Sequence, residues 1–352
     1  MILTAIKPVN ARLGRPSVNS TNPSYLQKGE KITLKRKAWG DAVNNNNIWI
    51  LSGENQFYSS EGFEITDEFK SLPIRPPLFD FLRISDLWQI SKGEGINIGV
   101  IDDGVLNHRA LNNKVVQLNN HSGTNINNHG TTMACIISAF DESSGKVGIA
   151  PMVNKIFSYQ INIDKKSCNI EAHDLLNALN AMETAGVEII NMSFTCDRAS
   201  FFPTNSSGRL IQKKIDALSQ KGVLLICATG NNRRHIDPKP DRFPAGYANV
   251  FSITGYNFSG RIDFESNCWA GVTIAALKEY YFDDDQFENS NGTSGAAAIM
   301  TGFIACVYKN LFFPKTQNLR NIFSQMPVVT DPFGSFFPVP KFETIKFINQ
   351  IK

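Results

Sequence analysis

Three side chains in this sequence have the types and settings that nucleophilic chemistry requires. Asp102 closes the apolar run "INIGVID", and His129 opens "HGTTMACIISAF". Ser294 lies in "NSNGTSGAAAIMTG", with almost no side-chain bulk around it. A serine hydroxyl is a weak nucleophile until a neighbouring base takes its proton, and that base needs an anion to fix its orientation. Aspartate, histidine and serine form one such set. Taken alone, the stretch around Ser294 favours an ordinary helix start with a Ser or Thr N-cap. What decides between the two is whether the chain brings the three groups together.

From about residue 80 onward, apolar strands alternate with helical patterns. "DFLRISDLWQI" reads as a short helix, "INIGVID" as a strand, "HGTTMACIISAF" as a helix and "KIFSYQIN" as a strand. "AHDLLNALNAMETAG" is an amphipathic helix closed by Gly186, and "RLIQKKIDALSQKG" a second one closed by Gly222. "VEIINMSF", "VLLICATGNN" and "NVFSITGYN" are further strands, and "GTSGAAAIMTGFIACVYKNLF" is a long helix. This alternation predicts an α/β fold with a mostly parallel sheet flanked by helices on both faces. Reactive residues in such sheets collect just beyond the carboxyl ends of the strands. Asp102, Ser193 and Asn231 each follow an apolar strand, and strand ends share one sheet edge with helix starts.

Residues 1–70 have a different texture. Short apolar runs such as "KITLKRKAW" and "NIWILSG" are separated by Gly, Asn and Pro clusters, which predicts a small all-β barrel. Lys35, Arg36 and Lys37 are expected on a solvated strand face. "SLPIRPPLFD", residues 71–80, holds Pro73, Pro76 and Pro77 and reads as a stiff linker. The expected organisation is therefore a barrel over 1–70, a proline-rich linker over 71–80 and the α/β domain over 81–352.

Composition excludes several classes. The 352 residues are 42% hydrophobic and 19% charged with a net charge of +3, values of an ordinary globular protein. That charge implies neither a nucleic-acid nor a membrane partner. No run of about 18 apolar residues is present, and the N-terminus lacks the apolar core of a secretory signal. Cys135, Cys168, Cys196, Cys227, Cys268 and Cys306 show no CxxC or paired spacing, and Cys135, Cys227 and Cys306 sit in apolar runs. A disulfide framework or zinc site is not expected, and the location expected is cytoplasmic.

Read together, the motifs resemble the subtilisin-like serine proteases (subtilases), whose catalytic residues run Asp, His, Ser along the chain. "VIDDGVLNH" resembles the family's aspartate motif, "HGTTMACII" its histidine motif and "NGTSGAAAIMTG" its serine motif. "GKVGIAPMVNKIFSYQI", "EIINMSF", "LLICATGNN", "RFPAGYANVFSITG", "RIDFESN" and the closing "FETIKFINQI" are also similar, in the family's order, over roughly residues 78–350. The resemblance implies a serine endopeptidase. Ser294 would attack the scissile carbonyl, His129 would carry the proton, and Asp102 would hold the imidazole. Asn231 would donate to the oxyanion beside the Ser294 backbone N–H. Ser193, Phe194 and Thr195, facing Ala228, Thr229 and Gly230, would wall the substrate pocket.

Asp103 is the alternative carboxylate; kexin-like members also carry a second aspartate there, and the family places its acid directly after the strand, at Asp102. His108, His121, His173 and His235 lack motif context. Departures from the pattern are Ala298 in place of proline, Thr132 in place of a second histidine, and Thr195 where glycine is usual. Thr195 implies a narrowed pocket or an unusual preference at the scissile residue. The acidic loop "FDDDQFE", residues 282–288, reads as a solvated loop; attraction of basic substrate residues or structural calcium, which loops in many subtilases bind, is the alternative, but its spacing is not that of a calcium loop. No cofactor is required by this chemistry.

"VNARLGRPSVNSTNPSYLQKGEKITLKRKAWGDAVNNNNIWILSG" is similar to a bacterial SH3-like barrel through Asn10, Arg12, Pro16, Gly29 and Trp49. That similarity implies a peptide or protein ligand for residues 1–70; the alternatives are a prodomain, which in this family mixes helices with strands where this segment offers almost no helix, and an unrelated extension. The function expected is intracellular processing of a peptide or protein substrate. The alternative is a catalytically silent or autoinhibited peptide-binding protein regulated by its N-terminal domain.

Overall fold

Continuous apolar runs bounded by glycine and polar residues give the central sheet its strands. The computed structural model of the chain describes residues 1–13, 18, 21–44, 46–54, 56–71, 78–119, 128–141, 146–161, 170–197, 199–233, 235–236, 242–257, 260–280, 290–329 and 339–351. The loop 282–288 and His121 fall outside these residues.

In the N-terminal unit, strands β1 (Ile2–Thr4), β2 (Lys31–Val43), β3 (Asn46–Ser52) and β4 (Phe57–Ser59) form an antiparallel sheet in the order β1-β2-β3-β4. Val9–Asn10 pairs with Tyr25–Leu26 beside it. The unit has its own core of Leu3, Ala5, Val9, Ala11, Leu34, Ile50, Tyr58, Phe63 and Phe69. Lys35 is exposed, but Lys37 is not on a solvated face; it is 3% exposed. A register shift between Leu34 and Arg36 in the pairing with β3 interrupts the alternation of β2, so Lys35 stays outside while Lys37 turns inward. The Lys37 ammonium satisfies itself there by donating to the Phe69 and Lys70 carbonyls at 3.1 and 3.0 Å, and it lies 5.2 Å from the Phe69 ring centroid. It thereby ties β2 to the end of the short helix Asp67–Ser71.

The large core begins at Phe79. "DFLRISDLWQI" does not form one helix. It makes two single turns, Leu78–Phe81 and Ile84–Leu87, because Arg83 between them is left-handed at φ 51°. Seven strands then build the main sheet: β5 (Asn97–Asp102), β6 (Val115–Gln117), β7 (Lys155–Gln160), β8 (Ile189–Met192), β9 (Leu224–Ala228), β10 (Val250–Tyr256) and β11 (Ile274–Leu277). Their order is β11-β10-β9-β8-β5-β7-β6, and every pairing is parallel. All seven carboxyl ends therefore lie on one edge.

Helices α1 (His129–Ser138) and α4 (Thr293–Val307) pack together on the sheet, α4 against β8, β9, β10 and β11. Helices α2 (Ala172–Thr184) and α3 (Ser206–Gln220) pair against the sheet as well. Gly186 and Gly222 follow them with φ of 68° and 88°, the left-handed exits expected after a helix end. Helix α4 is apolar all round, as a helix enclosed by other elements must be. Burying Ile299, Met300, Phe303, Ile304 and Val307 contributes on the order of 10 kcal/mol, which fixes where the helix start sits. Helices α5 (Lys315–Ser324) and α6 (Thr344–Ile351) complete the layer around Phe323, Phe342 and Phe347. No single described helix is long and apolar enough to cross a membrane.

Candidate active site

Asp102, the last residue of β5, is fully buried. Its Oδ1 accepts the Asp103 N–H at 2.7 Å and lies 2.8 Å from His129 Nδ1. A carboxylate oxygen only accepts, so Nδ1 carries the proton, and Nε2 of the neutral imidazole is left as the acceptor. The other oxygen, Oδ2, makes no hydrogen bond. The His129 side chain is 35% exposed, so its far edge reaches the surface of the cleft.

Gly130 is what lets the histidine come this close. A Cβ there would stand 2.5 Å from the Gly104 carbonyl oxygen and 2.9 Å from Asp102 Cβ. The Gly130 N–H, one of the free donors of the first helical turn, is taken at 2.7 Å by Asp103 Oδ1. Asp103 is thus a helix anchor beside the pair, and Asp102 is the carboxylate that meets the imidazole. Oxygen and nitrogen atoms of Asp102, Asp103 and His129 lie within 4.8 Å of one another. A cation there would compete with the N–H groups and the imidazole these carboxylates already hold.

Ser294 stands in the first turn of α4, partly exposed, on the same sheet edge. Its Oγ donates to the Ser193 carbonyl oxygen at 2.9 Å. The Ser193 hydroxyl in turn donates to the Ser294 carbonyl oxygen at 3.1 Å. Behind this exchange runs a buried chain: Asn191 Nδ2 donates to Ser193 Oγ at 2.9 Å, and Thr301 Oγ1 donates to Asn191 Oδ1 at 3.1 Å. Cleft wall and helix are locked to each other through it.

Asn231 lies three residues beyond β9. Its Oδ1 accepts the Thr293 N–H at 2.9 Å, which fixes the amide's orientation and turns the NH2 end away from that contact. Nδ2 is 2.8 Å from where a Cβ on Gly292 would stand, so the amide lies against the chain entering α4 and requires glycine there. Gly230 N donates to Thr293 Oγ1 at 3.0 Å, a second tie between the β9 exit and the helix start.

Of the residues expected to wall the pocket, Ser193, Phe194, Thr195, Ala228 and Thr229 are all buried, and Gly230 is partly exposed. The Phe194 ring belongs to the core, so that residue faces the cleft by its backbone. His108 accepts the Ala110 N–H on its own turn, and His173 lies beside Asp174 on the surface; neither joins the site. Sequence reading passed over Asn191, Thr293, Thr301 and Asn267. The signal available was a polar residue inside a run of buried apolar ones, as with Asn191 in "IINM".

An aspartate, a histidine and a helix-start serine gathered at the carboxyl edge of a parallel sheet define a serine-centred α/β site. The chain belongs to the Subtilase family, whose model matches residues 93–320. It is similar to the major intracellular serine protease of Bacillus subtilis (strain 168), 23% identical over 262 residues, 70% of this chain and 79% of that protein. It is also 24% identical to the minor extracellular protease Epr of the same organism over 253 residues, 67% of this chain and 36% of Epr. The match to the thermophilic serine proteinase of Bacillus sp. (strain AK1) takes in 45% of that relative, so the chain aligns with less than half of both Epr and this proteinase. Among solved structures, the prenylagaramide maturation protease PagA has the same fold, with a TM-score of 0.62 and 22% identity, covering 76% of this chain and 98% of PagA.

Proposed function

We propose that the protein is a serine endopeptidase in which Ser294, His129 and Asp102 carry out the cleavage. The observation that carries this reading is the 2.8 Å contact between His129 Nδ1 and Asp102. In the resting conformation the Ser294 proton is held by the Ser193 carbonyl. Rotation about Cα–Cβ, a motion of picoseconds to nanoseconds, redirects it to His129 Nε2. The imidazole takes that proton as Oγ bonds to the scissile carbonyl carbon. Asp102 stabilises the cation that forms, and the Asn231 amide and the Ser294 N–H hold the oxyanion. The C–N bond then breaks, the amine leaves with the proton from His129, and water releases the acyl group by the same steps in reverse.

Residues 1–70 are read as an SH3-like accessory domain that binds a peptide or a partner protein, separated by the linker from the peptidase domain over 81–352. The antiparallel sheet with a core of its own supports this. A processing role inside the cell is supported by five described cysteines that are buried free thiols. The test of the catalytic reading is labelling of the full chain by a fluorophosphonate, beside Ser294→Ala. Labelling that vanishes in the variant is the expected result. A folded parent chain that takes no label would overturn it.

A further inference from the structure

We infer that Thr195 closes the slot beside Gly230, so that the residue whose carbonyl is attacked must be glycine or alanine. This rests on the proposed role of Ser294. If Oγ attacks a carbonyl carbon and Asn231 receives its oxygen, the side chain of that residue enters the space between two walls. One wall is Ser193–Thr195, beyond β8; the other is Ala228–Gly230, beyond β9. These are adjacent in the sheet, and Ser193 and Asn231 flank Ser294 from either side.

The clearance there is small. Thr195 Oγ1 lies 2.9 Å from the point where a Cβ on Gly230 would stand, and Asn267 Nδ2 lies 2.7 Å from it. Adding one C–C bond of about 1.5 Å, Thr195 Oγ1 is at most about 4.4 Å from Gly230 Cα. A side chain lying between two walls needs about 3.5–4.0 Å on each face, or about 7 Å in all. At that depth the slot is filled by the Thr195 side chain, so only a group that stops short of it, a hydrogen or a methyl, can enter.

Neither wall is free to retreat. Cys196 N donates to the Phe243 carbonyl at 2.7 Å, and Phe243 N returns a bond of 2.8 Å, which pins Thr195 from the next residue. Opposite, Gly230 N is held by Thr293 Oγ1, and the Gly230 carbonyl accepts the Asn267 N–H at 2.8 Å. Thr195 itself is 8% exposed, and a β-branched side chain has few χ1 positions to move to. A hydrogen or a methyl group fits beside it, whereas an isobutyl or benzyl group collides.

The test uses N-acetyl-dipeptidyl boronic acids bearing hydrogen, methyl, isobutyl or benzyl on the boron-bound carbon. Each is measured for protection of the full chain against fluorophosphonate labelling. Hydrogen and methyl forms are expected to protect at about 100-fold lower concentration than isobutyl and benzyl forms. Thr195→Gly, with Thr195→Ala as a second variant, should narrow that gap to below about 10-fold by admitting the larger groups. Equal or better protection by benzyl or isobutyl in the parent overturns the inference. So does an unchanged ranking in both labelled variants, or a parent that labels but is protected by none of the four. A parent that takes no Ser294-dependent label removes the catalytic reading itself, a different failure.

Discussion

Gly292→Ala isolates what the Asn231 amide does. The backbone at Gly292 is extended, with φ 170° and ψ 179°, so alanine meets no conformational penalty and the substitution acts through its methyl group alone. That methyl would stand 2.8 Å from Asn231 Nδ2 and 3.1 Å from Oδ1, against ordinary contacts that begin near 3.4 Å. The amide must therefore retreat by about 0.6 Å, the difference between 3.4 and 2.8, and loosen its 2.9 Å bond to the Thr293 N–H. Asn231 is exposed, so the stability cost should stay near about 1 kcal/mol, the worth of one hydrogen bond. Catalysis should suffer more. Misplacing a preorganised donor by a fraction of an ångström should lower kcat/KM about 10- to 100-fold, or about 1.4–2.7 kcal/mol. Removing the donor by Asn231→Ala should lower it about 10²- to 10³-fold. Initial rates on fluorescein-labelled casein, normalised to the fluorophosphonate-reactive fraction, give both single variants and the double variant on one scale. If the added methyl acts only through the amide, the double variant is no slower than Asn231→Ala, and the coupling energy equals the whole Gly292→Ala effect. Additive losses, or a Gly292→Ala rate within about 3-fold of the parent, would refute the assignment of Asn231 as the donor.

Other positions give sharp expectations. Asn191→Leu should cost about 1–3 kcal/mol in urea denaturation, because it removes two buried hydrogen bonds while the Ser193 and Thr301 hydroxyls keep the Ser294 and Ala297 carbonyls; a loss under about 0.5 kcal/mol would dissolve the network. Lys214 and Lys221 hold the Glu183 carboxyl down, to about 2. Its folded value lies below its ordinary one, so its contribution is present above pH 4.5 and is lost as pH falls toward about 2. Glu183→Gln should therefore flatten the acid limb of the urea midpoint between pH 5 and pH 3 by under about 1 kcal/mol, and an unchanged limb would count against the α2–α3 staple. Lys37→Ala should speed amide hydrogen exchange in Asp67–Ser71 about 30-fold, equivalent to about 2 kcal/mol. Exchange at the parent rate would mean the buried ammonium holds nothing there.

The sheet is legible in the sequence because its strands are uninterrupted apolar runs, and parallel strands covered on both faces have no polar side to disguise them. Helix ends are legible where a glycine must turn left-handed, as at Gly186 and Gly222. Asp102 and His129 come together as their motifs imply, since a strand end and a glycine-softened helix start converge by topology alone. Less visible is anything decided by a partner distant in sequence. Lys37 reads as a surface cation because its partners are backbone carbonyls 32 and 33 residues away. Asn191 reads as an oddity in a strand, and its meaning depends on Thr301, 110 residues later. The break at Arg83 is hidden for a related reason: packing of Phe79, Ile84 and Leu87 into the core overrides local helix propensity. The narrowing at Thr195 is visible as an unusual residue, but its consequence emerges only when Gly230 and Asn267 are set beside it.

The hydroxyl–amide chain from Thr301 through Asn191 and Ser193 to the Ser294 carbonyl begins on α4 and ends on α4, passing through the neighbouring wall on the way. A closed circuit of this kind leaves no soft joint between scaffold and cleft. Any influence arriving from elsewhere in the molecule must shift helix and wall as a single body or leave both untouched. A displacement of either one is felt by the other, and Ser294 stays in register with the wall it faces.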